Sequence, residues 1–213
     1  MMKIIERFAY AGLMFSSLII VFSCSSKVTR VNKEKLISYV EHNQDLNQER
    51  EINNIKVHIK YCPYQLMVLQ ELDNGKKFDS AKLNELEKKY SPQYYFRLSF
   101  SKDNKEVIRQ LGSFQRYSDM LQVFSFELGK YINASTERND TLSLTDYAFE
   151  QDYGMSSANN TLLVFKKSDF DKAKNIHVNV GEFGLGIGSL QFVFDKKNIE
   201  RVPLLDYQQS NEQ

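Results

Sequence analysis

The chain has 213 residues, with 28 Lys and Arg against 27 Asp and Glu. Without residues 1–23, which carry Lys3, Glu6 and Arg7, the two counts are equal, and that balance excludes a dedicated nucleic-acid binder, which needs a basic face. Phe 15 and Tyr 12 are enough for a substantial core, while Pro 3 and Gly 9 are too few for a repeat array or a linker protein.

The N-terminus reads MMKIIERFAYAGLMFSSLIIVFSC, a charged head followed by an apolar run from Phe8 to Phe22 that ends on Cys24. That run is short for a hydrocarbon core of ~30 Å, so it reads as a signal peptide over 1–23 and not as a membrane span. A cysteine at the end of such a run, with Ser23, Ser25 and Ser26 around it, resembles a bacterial lipobox. Acylation of Cys24 would make the membrane a partner through the acyl chains. Two or more chains hold stably, since each buried methylene contributes ~0.8 kcal/mol. Residues 24–31 then form the lipidated cysteine and tether, 32–207 one domain and 208–213 a frayed tail. With Cys24 lipidated, Cys62 has no partner for a disulfide.

Asn32 predicts a cap for a helix to about His42. Asn53-Asn54 predicts a hairpin turn, because Asn tolerates positive φ, and Ile55, Val57, Ile59 and Tyr61 then alternate as a half-buried strand. Pro63 ends that strand and opens a helix with Leu66, Leu69 and Leu72. Asp73-Asn74-Gly75 reads as a loop, and Asp79 or Ser80 as the cap of a helix to about Tyr90. Tyr94, Phe96, Leu98 and Phe100 mark the next strand. Asp103 and Glu106 fit a capping box for a helix from Asn104 to about Gln122, with Phe124–Leu128 alternating like a strand. Four more strands are expected over Thr141–Phe149, Thr161–Lys167, Ile176–Phe183 and Leu190–Lys196. The fold class is therefore α+β, an antiparallel sheet of roughly five to seven strands backed by two or three helices.

Chemistry is sparsely marked. Gly184, Gly186 and Gly188 suggest a phosphate cradle, but LQFVFD follows as a strand where a cradle needs a helix. A bend or bulge in a β-hairpin fits those glycines better. Tyr147, Glu150, Asp152 and Tyr153 stand in or beside a polar loop and are the candidate catalytic residues, with two carboxylates that would work as acid and base only across a cleft. His42, His58 and His177 have no metal-ligand spacing, so no metal and no cofactor is expected. His58 and Cys62 share a strand face but stand ~13 Å apart, which separates a solvent-side imidazole from a half-exposed thiol. Asp79-Ser80-Ala81 and Asp140-Thr141-Leu142 fit a short O-glycosylation pattern at Ser80 and Thr141.

The lipobox, IKVHIKYCPYQLMVLQEL, the DYGMSS loop and GLGIGSLQFVFDKKNIERVP together resemble a group of uncharacterised Bacteroidota outer-membrane lipoproteins. The resemblance implies an envelope location and no particular reaction. Ser25 after the cysteine points by analogy to the outer membrane, and the lack of an acidic run behind it to the periplasmic side. The expectation is a lipid-anchored envelope protein with a non-catalytic binding or assembly role and an envelope protein or glycan as partner. The alternative is a periplasmic hydrolase using the carboxylates of the 146–153 loop.

Overall fold

The computed structural model describes residues 29–72 and 79–208. Cys24, the signal segment and the Asp73-Asn74-Gly75 loop lie outside the described residues, as do all but Gln208 of the expected tail. In chain order the elements begin with β1 (Arg30–Val31), α1 (Lys33–His42), β2 (Asn47–Ile52), β3 (Ile55–Cys62), α2 (Tyr64–Leu72) and α3 (Ser80–Tyr90). Next come β4 (Gln93–Lys102), β5 (Lys105–Glu106), α4 (Phe114–Gln122), β6 (Ile132–Ser135), β7 (Leu142–Ser143) and β8 (Asp146–Glu150). The chain continues through β9 (Asn159–Lys166), β10 (Asn175–Val180), β11 (Leu190–Asp195), α5 (Lys196–Glu200) and β12 (Leu204–Leu205).

The class is α+β, and all strands but the parallel pair β1 and β12 divide between two antiparallel sheets where a single sheet was expected. The larger runs β2-β3-β4-β9-β8, with β5 pairing β4 beyond the end of β9. The smaller runs β11-β10-β6-β7. Ile55, Val57, Ile59, Phe96, Leu98 and Phe100 of the first sheet are buried against Val178, Val180, Phe192 and Phe194 of the second. The Phe96 and Phe194 rings lie 4.8 Å apart. The large sheet's core face is thus covered mainly by the strands of the smaller sheet, with helical residues such as Val40, Met120 and Phe124 closing the same core. At one edge the Gln48 amide bridges the sheets, donating to the Val193 carbonyl at 2.5 Å and accepting from its N–H at 3.3 Å.

Helices α1, α2 and α3 form a second, smaller cluster with β12 and Tyr207, built on Leu36, Val68, Leu69, Leu86 and Leu205. Arg30 and Val31, expected in the tether, pair in parallel with Leu204 and Leu205. Local signals explain most boundaries. Asn32 Oδ1 accepts from Lys35 N at 3.1 Å and Asp79 Oδ1 from Ala81 N at 2.9 Å, which satisfies orphan donors at two helix starts. Asn53 and Asn54, at φ 52° and 61°, make the expected two-residue hairpin.

The helix expected from Asn104 to about Gln122 forms only over Phe114–Gln122, as α4. Asp103 and Asn104 adopt φ 49° and 56°, a second two-residue hairpin that returns the chain as β5. Glu106 sits in β5 and pairs with Arg109 at 2.6 Å instead of completing a capping box. Gly112, at φ 83°, then breaks the path, and Ser113 caps α4. The expected strand over Phe124–Leu128 is instead a widened helical turn, Val123–Glu127, that drops Phe124 among Phe100, Phe149 and Phe183. Thr141–Phe149 is two strands, β7 and β8, belonging to different sheets.

Candidate functional site

The pleat of the large sheet sorts its outer face into rows. Cys62, Tyr95, Val164 and Asp146 stand side by side on β3, β4, β9 and β8. The next row is Lys60, Arg97, Leu162 and Ala148, and the one after it His58, Ser99, Asn160 and Glu150. The face is therefore mainly apolar near α2 and polar away from it. On the polar side Arg97 Nη2 meets Glu150 Oε1 at 2.7 Å, and Ser99 Oγ donates to Asn160 Oδ1 at 2.8 Å.

Two hollows flank α2. One, of about 620 Å³, lies between the α2–α3 pair and the β4–β9–β8 face, with Tyr95, Leu162 and Val164 among its lining and Gln93, Gln70 and Asp146 as its polar groups. Burial pushes the Tyr95 phenol up to about 12, so it stays a neutral hydrogen-bonding group. At the rim Glu71 accepts from the Tyr90 hydroxyl and from Lys89 Nζ at 2.9 Å, and these two bonds hold its carboxyl below the ordinary range. The Gln93 Oε1 is buried without a hydrogen-bond partner among the described residues. The second hollow, of about 410 Å³, lies between α1 and α2 over Lys60, Cys62 and Arg97.

The four candidate catalytic residues are dispersed. Tyr147 pairs with Leu163 on the core-side phase of the pleat and packs beside Gly129, where an added Cβ would come 3.1 Å from its ring. Glu150 is on the outer face, held by Arg97. Asp152 and Tyr153 lie beyond the end of β8 against Arg109 and Asn159, around a crevice of about 30 Å³. Tyr153 is 73% exposed. The two carboxylates do not face one another across a cleft. Ser80 and Thr141 are both exposed. The aspartate before each has local work, Asp79 capping α3 and Asp140 accepting from both the N–H and the hydroxyl of Thr136 at 2.8 Å.

The glycine stretch does form an anion cradle, and the chain fills it. Glu182 accepts from the N–H groups of Gly184, Gly186 and Gly188 at 2.7, 2.8 and 2.7 Å. Burial pushes the Glu182 carboxyl up, but these amides and that of Ile187 outweigh it and leave it below the ordinary value. The glycines take φ between 66° and 105°, while Phe183 before them and Leu185 and Ile187 between them are buried in the core. Cys62, expected half-exposed, is buried, and burial pushes its thiol up. Burial, with help from Lys60, pushes the His58 imidazole down. Among the described residues no group of three or more His, Cys, Asp and Glu is placed to hold a metal ion.

No family model, curated protein or solved structure matches the chain. The hollow under α2 was nonetheless signalled. Leu162-Leu163-Val164-Phe165 and Tyr94-Tyr95-Phe96 are apolar on both phases of a strand, which means cover on both faces of the sheet. Gln93 carried no such signal, because its significance lies in the lack of a partner.

Proposed function

We propose that the protein is a non-catalytic binding protein of the cell envelope, held at the periplasmic side of the outer membrane by acylated Cys24. Its ligand site is the groove between α2–α3 and the β4–β9–β8 face, and its ligand an extended segment of another envelope protein. The observation that carries this reading is the groove's lining. Tyr95, Leu162 and Val164 offer apolar contact, and the unpartnered Gln93 Oε1 suits a backbone N–H of such a segment. The anchor fits the same layout. Six peptide units separate Cys24 from Arg30, at most ~20 Å of extended chain, so an acylated Cys24 would keep the helical cluster close to the lipid surface.

Labelling with an alkyne fatty acid tests the anchor: the native chain labels and Cys24→Ala does not. A photo-cross-linking residue at Leu162, compared in cells with one at Val193 on the opposite sheet, tests the groove. The expected result is a discrete protein adduct from Leu162 that Val193 does not give. The same products from both positions, or carbohydrate adducts alone, would overturn the reading.

A further inference from the structure

The geometry points to the surface where Arg109, α4 and the 151–155 loop meet as a binding site for a neutral saccharide, a β-linked chain of hexopyranoses with equatorial hydroxyls. An open hollow of about 530 Å³ lined by Leu111, Phe114 and Tyr117 adjoins the crevice of about 30 Å³ beside Asp152, Tyr153 and Asn159, and Ile108, Arg109 and Tyr117 border both. The rings here are displayed to solvent. Phe114 is 82% exposed and lies 6.4 Å from the Tyr117 ring. The exposed Tyr153 takes φ 50°, which a bulky side chain rarely adopts, and Gly154 behind it lies against Arg109, where an added Cβ would come 2.9 Å from Nε. The charges are already matched. Arg109 Nε donates to the buried Glu106 at 2.6 Å, and Asp152 adds a further negative charge, so the site disfavours an anion. Asn159 Oδ1 accepts from Ile108 N at 3.1 Å, while its buried Nδ2 has no partner among the described residues. The crevice that Asn159 borders has room for a water-sized group and not for an apolar side chain. A protein partner finds no pocket there for an apolar anchor, whereas a sugar hydroxyl is small enough and can accept from an amide. The C–H faces of an all-equatorial pyranose are flat and slightly electropositive, and they match the electron-rich faces of exposed rings.

This surface shares no lining residue with the groove of the proposed function. Asn159 and Lys166, the residue paired with Gln93, stand at opposite ends of β9, ~23 Å apart. The test uses the full chain in lipid nanodiscs and two probes, cellotetraose and its analogue oxidised at every C6 to glucuronate. Saturation-transfer NMR from the aromatic protons of the protein should label the ring C–H protons of cellotetraose. The glucuronate chain should bind about tenfold weaker, because each unit brings a negative charge to a site whose Arg109 is already paired. Phe114→Ala and Tyr153→Ala, both at exposed positions, should each weaken cellotetraose about three- to tenfold, the scale of one aromatic contact, with the melting temperature unchanged. Phe126→Ala, at an equally exposed ring outside the site, should leave binding as it is. No transfer to millimolar cellotetraose, equal binding of the two probes, or a loss with Phe126→Ala that matches Phe114→Ala overturns the proposal. The comparison of probes needs no substitution, so it decides the matter even where a variant misfolds.

Discussion

Glu182 shows how much a single residue depends on backbone it does not itself determine. Three glycine amides converge on its carboxylate, so the anion-binding capacity of this glycine-spaced loop is taken up by the chain itself. Glu182→Ala should cost about 1–2 kcal/mol in chemical denaturation, toward the low side for three charge-assisted bonds because water reaches the loop. The pH dependence has a definite sign. A carboxyl held below its ordinary value of 4.5 contributes stability above that pH and loses it as pH falls through the lower folded value. The gap in stability between the native chain and Glu182→Gln should therefore be full at neutral pH and close on acidification below pH 4.5. A gap that stays constant from neutral pH down to full protonation would mean the carboxylate charge plays no part. The glycines were legible as a bend, since φ near 66–105° is open to them and not to most residues. Their ligand was not, because Glu182 is one of many acidic residues until the loop closes around it.

At the level of elements, the two-residue period of ordinary half-buried strands was readable, and the sheet core built on it is buried throughout. Phe96 lies in van der Waals reach of both sheets, with its ring near Tyr61, Phe165 and Phe194. Phe96→Ala should cost about 3–5 kcal/mol and lower the melting temperature sharply, as expected for a large cavity in a packed interior. The misread stretch was 103–113, where helical spacing of Val107, Leu111 and Phe114 outweighed a turn signal in Asp103-Asn104, while the end of the expected helix formed as α4 over Phe114–Gln122. The same Asn-containing chemistry that announced the 53–54 hairpin was present there, but without a following long strand to support it. Asn104→Val, forcing a β-branched residue to φ 56°, should destabilise by about 1–2 kcal/mol, whereas Asn104→Gly should be neutral or stabilising. Equal melting temperatures for the two variants would contradict the hairpin. The division into two sheets had no local signal at all, because β7 and β8 are separated by only Leu144 and Thr145.

Across the whole molecule the apolar interior is split. The inter-sheet core and the α1–α3 cluster meet through Val202, which packs against both, while α1 turns Leu36 to one and Val40 to the other. The helical cluster has far fewer fully buried side chains, so its local unfolding free energy should lie below that of the sheets. It also walls both hollows beside α2, so the helices that line them belong to the less stable unit. Native-state hydrogen exchange should show the amides of α2 and α3 opening together, ahead of those of β3, β4 and β9. Leu86→Ala supplies the decisive comparison, since Leu86 is fully buried and belongs to the helical cluster alone. Its truncation should cost about 2–5 kcal/mol and appear as lost protection in α1, α2 and α3, with the central strands of the large sheet keeping theirs. If β3, β4 and β9 lost protection by the same amount, the two clusters would be one cooperative unit, and the helices could not rearrange around a ligand without unfolding the sheets.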